Sequence, residues 1–271
     1  MFRSVRRALA PCILIAATAV VISGCSAASK VTQAQTGMNQ AQSTEAATQV
    51  GLIVFAGGTP NAAPSSLVAG GASSFAAVPS TRPQAAAAET TITNGNVTWT
   101  LAIQWFDAAD QQQGIYDPQT TVRMHTDSHG TGTATSTDGS ATLGTAGAYD
   151  VLGVDAQATA LTTNGTQSDT LHYTVQGQSG SVSVVSLCTG GLSNVVESKP
   201  VAQNYPSSGS GNWNLDVTRH FEAGGGSLDE HYSAVVTAVF NGTHLVPLVV
   251  NNTWHFILDL DTGHVTPIAA S

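Results

Sequence analysis

From residue 90 onward, apolar and polar side chains alternate. Val97, Trp99, Leu101, Ile103 and Trp105 fall on one parity, and Thr98, Thr100, Ala102 and Gln104 on the other. Successive side chains of a strand point to opposite faces, so a period of two over that length predicts a half-buried β-strand. Leu171, Tyr173 and Val175 repeat the pattern against His172 and Thr174, and Tyr232, Ala234, Val236, Ala238 and Phe240 do the same. Asn241-Gly242 follows at once, and Asn-Gly between alternating runs supplies the positive φ angles of a tight hairpin turn. Leu245 to Val250 returns and Asn251-Asn252 turns the chain. Trp254, Phe256, Leu258 and Leu260 make another apolar face, and Asp261-Thr262-Gly263 turns into Val265 to Ile268. The C-terminal part therefore reads as a meander of at least four strands.

Thr120 to Ser168 carries short Thr, Ser, Ala and Gly segments, such as Thr131 to Thr135 and Ala141 to Gly144. They read as strands with small side chains, joined by turns at Asp138-Gly139 and Asn164-Gly165. Their light apolar content fits a curled sheet or partly open barrel better than a thick sandwich. No long stretch from Thr90 to Ser271 has a period of 3.6. The expected fold is all-β, an antiparallel meander.

Upstream, Ser26 to Glu89 is rich in Ala, Ser, Thr, Gln and Gly and contains Pro60, Pro64, Pro79 and Pro83, which disfavour long regular elements. A short helix fits Asn39 to Gln49, and Val50 to Phe55 is an apolar run that reads as a strand or a docking segment. The remainder reads as a tether.

Met1 to Arg7 holds Arg3, Arg6 and Arg7 and no acid, and an apolar run follows from Ala8 to Ile22. That is the layout of a secretory signal, and at about 15 residues the run is shorter than the roughly 20 that span a bilayer. Directly after it, Ile22-Ser23-Gly24-Cys25 resembles the lipobox of bacterial lipoproteins. The resemblance implies cleavage before Cys25 and acylation of Cys25, which makes the membrane a partner through that lipid anchor. Several acyl chains on one cysteine anchor durably, since each buried CH₂ contributes about 0.8 kcal/mol. The expected organisation is a signal peptide over 1–24, a low-complexity tether over 25–89 and a β-rich domain over 90–271. Ser26 in place of aspartate resembles lipoproteins of enterobacterial type sent to the outer membrane. That implies the cell envelope, facing the periplasm or the cell surface where the host has two membranes. Asn94 to Asp155 is similar to domains of uncharacterised bacterial lipoproteins, through the Trp99-to-Phe106 strand and the Tyr116-Asp117-Pro118 turn. So are the closing Phe240-Asn241-Gly242-Thr243 and Leu258-to-Gly263 hairpins. That group implies no activity.

Charge narrows the partners. The chain has 8 Lys+Arg and 17 Asp+Glu, and removing the three signal arginines leaves 5 basic residues. Binding to nucleic acid needs clustered Lys and Arg on phosphates, and anionic lipid heads need a polybasic patch; neither is present. Of the cysteines, Cys12 leaves with the signal and Cys25 is acylated, so Cys188 has no intramolecular partner. After the β-like run Val182 to Leu187 it reads as a buried small hydrophobe. The nucleophile reading lacks a local cysteine-hydrolase motif.

Three constellations carry candidate chemistry. Asp261-Thr262-Gly263 is similar to the aspartic-protease tripeptide, but that chemistry needs two carboxylates sharing one proton, and the tripeptide occurs once; it reads as a hairpin turn. Asp259-x-Asp261-x-Gly263 resembles the opening of a calcium loop, whose six to eight oxygen ligands would have to come partly from other loops. His125, Asp127 and His129 share a parity on a strand-like segment, which spaces them too far apart for one metal without a bend. His220, His231, His255 and His264 are candidates to gather in space. Gly-x-Ser-x-Gly, a dinucleotide fingerprint and a phosphate loop are all missing; Ser207 to Gly211 places Gly209 where a nucleophile belongs and reads as a flexible loop. The expectation is an envelope lipoprotein acting as a structural or binding module for a protein, glycan or apolar ligand, with no catalytic or metal residue and no cofactor assigned. The alternative is a metal-dependent hydrolase using clustered His and Asp. An exposed patch around Trp99, Trp105, Trp213 or Trp254 favours the first, and His/Asp side chains converging in a pocket the second.

Overall fold

The computed structural model describes residues 38–57, 88–94, 97–178, 180–199 and 205–268. The signal-like segment, Cys25 and most of the tether lie outside the described residues. Among the described residues one helix, α1 (Gln40–Gly57), precedes the strands. These are β1 (Ala88–Asn94), β2 (Val97–Asp107), β3 (Gln112–Gln113), β4 (Thr121–Ser136), β5 (Gly139–Leu152), β6 (Ala160–Gly177) and β7 (Gly180–Ser198). Then follow β8 (Ser208–Ala223), β9 (Gly226–Val239), β10 (Leu245–Val250), β11 (Trp254–Asp259) and β12 (Val265–Pro267). All join one antiparallel sheet in chain order, with the short β3 alongside β2. The chain is thus the all-β meander the alternation predicts. The sheet stays open, with β1 and β12 as its edges. Tyr149 of β5 and Tyr173 of β6 pack against the margin of the core built by β7 to β12.

Two of the three C-terminal turns are as the sequence puts them; Asn241-Gly242 lies instead in a wider connection, because β9 and β10 pair only from Ala238 with Leu248 onward. Asn251 and Asn252 both take positive φ (49° and 55°), the pairing a two-residue hairpin turn requires, and Gly263 turns β11 into β12 at φ 72°. Val236, Leu248, Phe256 and Leu258 face inward and are almost fully buried. The Thr/Gly-rich strands are longer than their sequence suggests, and two expected breaks are not breaks. Asn164-Gly165 lies inside β6 at a register shift, not at a turn. There a Cβ on Gly165 would fall 2.2 Å from Cδ1 of Tyr149, so the glycine lets that ring lie flat on the strand. Ser208 to Gly211 opens β8 instead of forming a loop, pairing with both β7 and β9. Trp213 lies over Gly211 in the same way, with a Cβ there only 2.0 Å from its Cη2. Gly211→Ala must therefore push a buried indole aside. It is expected to lower stability by about 1–3 kcal/mol, the usual cost of overpacking. Urea unfolding with an unchanged slope and a lower midpoint checks this; an unchanged midpoint contradicts it.

Among the described residues two apolar clusters occupy the inner face. The smaller joins Ile103, Met124, Val151, Val154 and Leu161, with Trp105 and Tyr116 packed beside it, their rings tilted and 5.0 Å apart. The larger spans β7 to β12 and includes α1. The helix runs eight residues beyond the Gln49 end expected for it, and Val50 to Phe55 continues it as a docking segment rather than a strand. Asn39 caps it reciprocally: the Gln42 amide donates to Asn39 Oδ1 and the Asn39 amide to Gln42 Oε1, both at 2.9 Å. Its buried stripe is Gln42/Ser43, Ala46/Ala47, Val50/Gly51 and Val54, three to four residues apart. The small residues allow close approach, since a Cβ on Gly51 would fall 2.5 Å from Val265 Cγ2. Polar ties fix the register. Ser186 Oγ donates to Gln49 Oε1 at 2.7 Å, and Arg219 sits between Glu45 of α1 and Glu230 of β9.

Candidate functional site

The sheet has a solvent-facing outer side, and most histidines lie there. His125, His129, His172, His220, His231 and His255 alternate with inward-facing neighbours such as Met124, Arg219 and Phe256. Four of them, His125, His172, His220 and His231, make local side-chain contacts. His125 Nδ1 is 3.1 Å from Asp150 Oδ1 and its Nε2 is 3.3 Å from Asp127 Oδ2, while Arg123 holds the same Asp150 oxygen at 2.7 Å. Hydrogen bonds from Arg123 and His125 outweigh desolvation there and hold the Asp150 carboxyl below its ordinary range. His220 Nδ1 is 2.6 Å from Asp229, and the Asp229 and Glu222 carboxylates hold its imidazole above the ordinary histidine value. His231 Nε2 sits 3.0 Å from Asp216 Oδ2. His264 contacts the Val265 carbonyl through Nδ1. The parity that put His125, Asp127 and His129 on one face holds, but they spread along β4. His220, His231, His255 and His264 do not gather.

Between β7, β8 and β9 the outer side has a shallow, open groove of about 350 Å³. Cross-strand pairing builds it in two rows: Leu187, Asp216 and Ser233 in one, Thr189, Asn214 and Val235 in the next. Two aliphatic side chains, Leu187 and Val235, are left 43% and 42% exposed beside hydroxyl, amide and carboxylate groups. Asn251 closes one end, its Oδ1 accepting the Val235 amide at 2.7 Å.

Among the described residues, one group brings three metal-ligand side chains together: His244, Asp259 and Asp261, with candidate ligand atoms within 4.8 Å of one another. The sequence marked the two aspartates as one edge of a calcium loop and passed over His244. The β10–β11 register supplies it, because pairing Leu245 with Asp259 sets His244 opposite Leu260. The Leu260 amide indeed donates to the His244 carbonyl at 2.8 Å.

The other marked residues have structural surroundings. Cys188 is buried, and burial with nearby Asp169 pushes its thiol up to about 12, which keeps it protonated and unreactive. Trp213 is buried, Trp254 packs on the large cluster and Trp105 on the small one; the Trp99 side chain lies outside the described residues. No family model matches the chain, and neither a curated protein nor a solved structure matches it.

Proposed function

We propose that the chain is a lipid-anchored module of the bacterial cell envelope, held by acylated Cys25, that binds a glycan across the outer side of its sheet. The groove between β7 and β9 carries this reading. A sugar ring offers hydroxyls on its rim and C–H bonds on its faces. Thr189, Asn214, Asp216 and Ser233 supply donors and acceptors for the first, and exposed Leu187 and Val235 supply apolar contact for the second. The acidic balance of the chain also fits a neutral or cationic partner better than an anionic one. The lipobox-like Ile22-Ser23-Gly24-Cys25 and the intervening tether would hold the sheet away from the bilayer.

One fractionation tests both parts. Cys25→Ser is expected to move the protein from the membrane pellet to the soluble fraction, and that soluble form to sediment with isolated cell-wall glycan. Adding Asn214→Ala and Asp216→Ala is expected to leave it in the supernatant. Retention of Cys25→Ser in the membrane pellet would overturn the anchor. Equal sedimentation of the triple variant would overturn the groove.

A further inference from the structure

The corner formed by the β9–β10 connection and the β11–β12 hairpin is built from three separate stretches of chain. His244 comes from the first, Asp259 and Asp261 from the second, and Tyr205 from the segment before β8. Backbone hydrogen bonds lock them. The Leu260 amide donates to His244 O at 2.8 Å, the Gly263 amide to Asp259 O at 2.7 Å, and the Gly242 amide to Pro206 O at 2.8 Å. Each carboxylate is already oriented by hydrogen bonds, Asp259 also by the hydroxyl and amide of Thr262. Asp259 Oδ1 accepts the Asp261 amide at 2.8 Å, and Asp261 Oδ1 accepts the Tyr205 hydroxyl at 2.5 Å. The Tyr205 ring also lies 5.8 Å from that of His244. Oriented ligands of this kind are what outer-shell hydrogen bonds give a metal site. Among the described residues neither aspartate pairs with Lys or Arg, so two carboxylates face each other beside one imidazole.

We infer that this corner binds a first-row divalent transition ion of the Zn²⁺ class, with His244, Asp259 and Asp261 as ligands and Tyr205 positioning Asp261. The imidazole decides the metal. Calcium takes six to eight oxygens, whereas a nitrogen with two carboxylate oxygens suits zinc and its neighbours and leaves a position for water. Ligands of one tetrahedral ion stand roughly 3.3 Å apart at bonds of about 2.0–2.2 Å. The candidate atoms, within 4.8 Å, need only a modest closure, which exposed Asp261 can supply by side-chain rotation. The bound ion would clip the β9–β10 connection to the sheet's last hairpin.

The test is calorimetric titration of the EDTA-dialysed, intact chain with ZnSO₄ and, separately, CaCl₂. One Zn²⁺ per chain is expected, bound more tightly than Ca²⁺ and raising the thermal midpoint. His244→Ala is expected to abolish that stoichiometric site. Tyr205→Phe is expected to weaken it about 10-fold, at the low end for loss of an outer-shell partner. His220→Ala, which lies at another site, leaves it unchanged. Asp261→Asn keeps an acceptor for Tyr205 and serves as the second ligand variant should His244→Ala fail to fold. No stoichiometric Zn²⁺, binding indifferent to both ligand variants, or a preference for Ca²⁺ overturns the assignment.

Discussion

Val50→Asp is expected to destabilise the protein by more than about 3 kcal/mol, the scale of an unpaired charge forced into a core. Val50 is fully buried between α1 and the sheet, in the cluster that holds Val246, Leu248, Phe256 and Leu258. The aspartate would lie unpaired in a mainly apolar cluster, and its alternative is to undock the helix and expose that inner face. The same contacts make 38–57 part of the folded unit, although the sequence assigns this stretch to a tether; a chain starting at Thr90 would leave β9 to β12 uncovered on one side. Ala41→Asp is the control, because Ala41 is exposed in the first turn, where an acid favours the helix dipole. Urea unfolding and binding of a hydrophobic dye separate the two. Equal stability of both variants would mean that α1 does not hold the core.

The second large effect is a loss of stability as pH rises toward neutrality, set by Glu197. This residue lies on β7 opposite Leu161, is 3% exposed, and neither carboxylate oxygen has a hydrogen-bond partner. Lys199, two residues on, spends its ammonium on the carbonyl oxygens of Gly153, Val154 and Asp155. Burial therefore pushes the Glu197 carboxyl from 4.5 up to about 7. The folded state keeps its proton to about pH 7, whereas the unfolded chain releases it near 4.5. Between those values the unfolded state binds fewer protons, so stability falls as pH rises, by about 3 kcal/mol in all, and levels off above the folded value. Glu197→Leu removes this fall and is expected to raise stability at pH 8 while changing little at pH 4. Denaturation midpoints of both proteins across that range check it. Parallel pH profiles would show that Glu197 does not titrate with folding.

How far the sequence reveals the fold depends on how strongly each stretch marks its two faces. Tyr232 to Val265 carries an inward-facing apolar residue at every second strand position and places Asn-Asn and Asp-Thr-Gly at its tight reversals, so strands and turns are legible. In β4 to β8 the inner face holds Gly130, Gly147, Gly165 and Gly190, and the outer face Thr, Ser and His, so parity barely distinguishes core from solvent. Those glycines are read correctly only with the rings that cover some of them, Tyr149 and Trp213, which come from neighbouring strands. The end of α1 is hidden for another reason. Leu52 to Phe55 is apolar on every side, so its period vanishes, and docking against Val265 and Leu258 decides the helix. At the candidate metal corner Asp259 and Asp261 stand out in the sequence, whereas His244 joins them only through strand register. The histidines four apart on β4 stay apart as their parity predicts, because a strand spreads what a helix would gather.

The most direct test of the lipid-anchored module is the intact mass of the protein extracted from membranes with detergent. The expected value is that of a chain beginning at Cys25 plus its acyl chains. A chain that retains Met1 to Gly24, or one that begins at Cys25 without added lipid, would contradict the account.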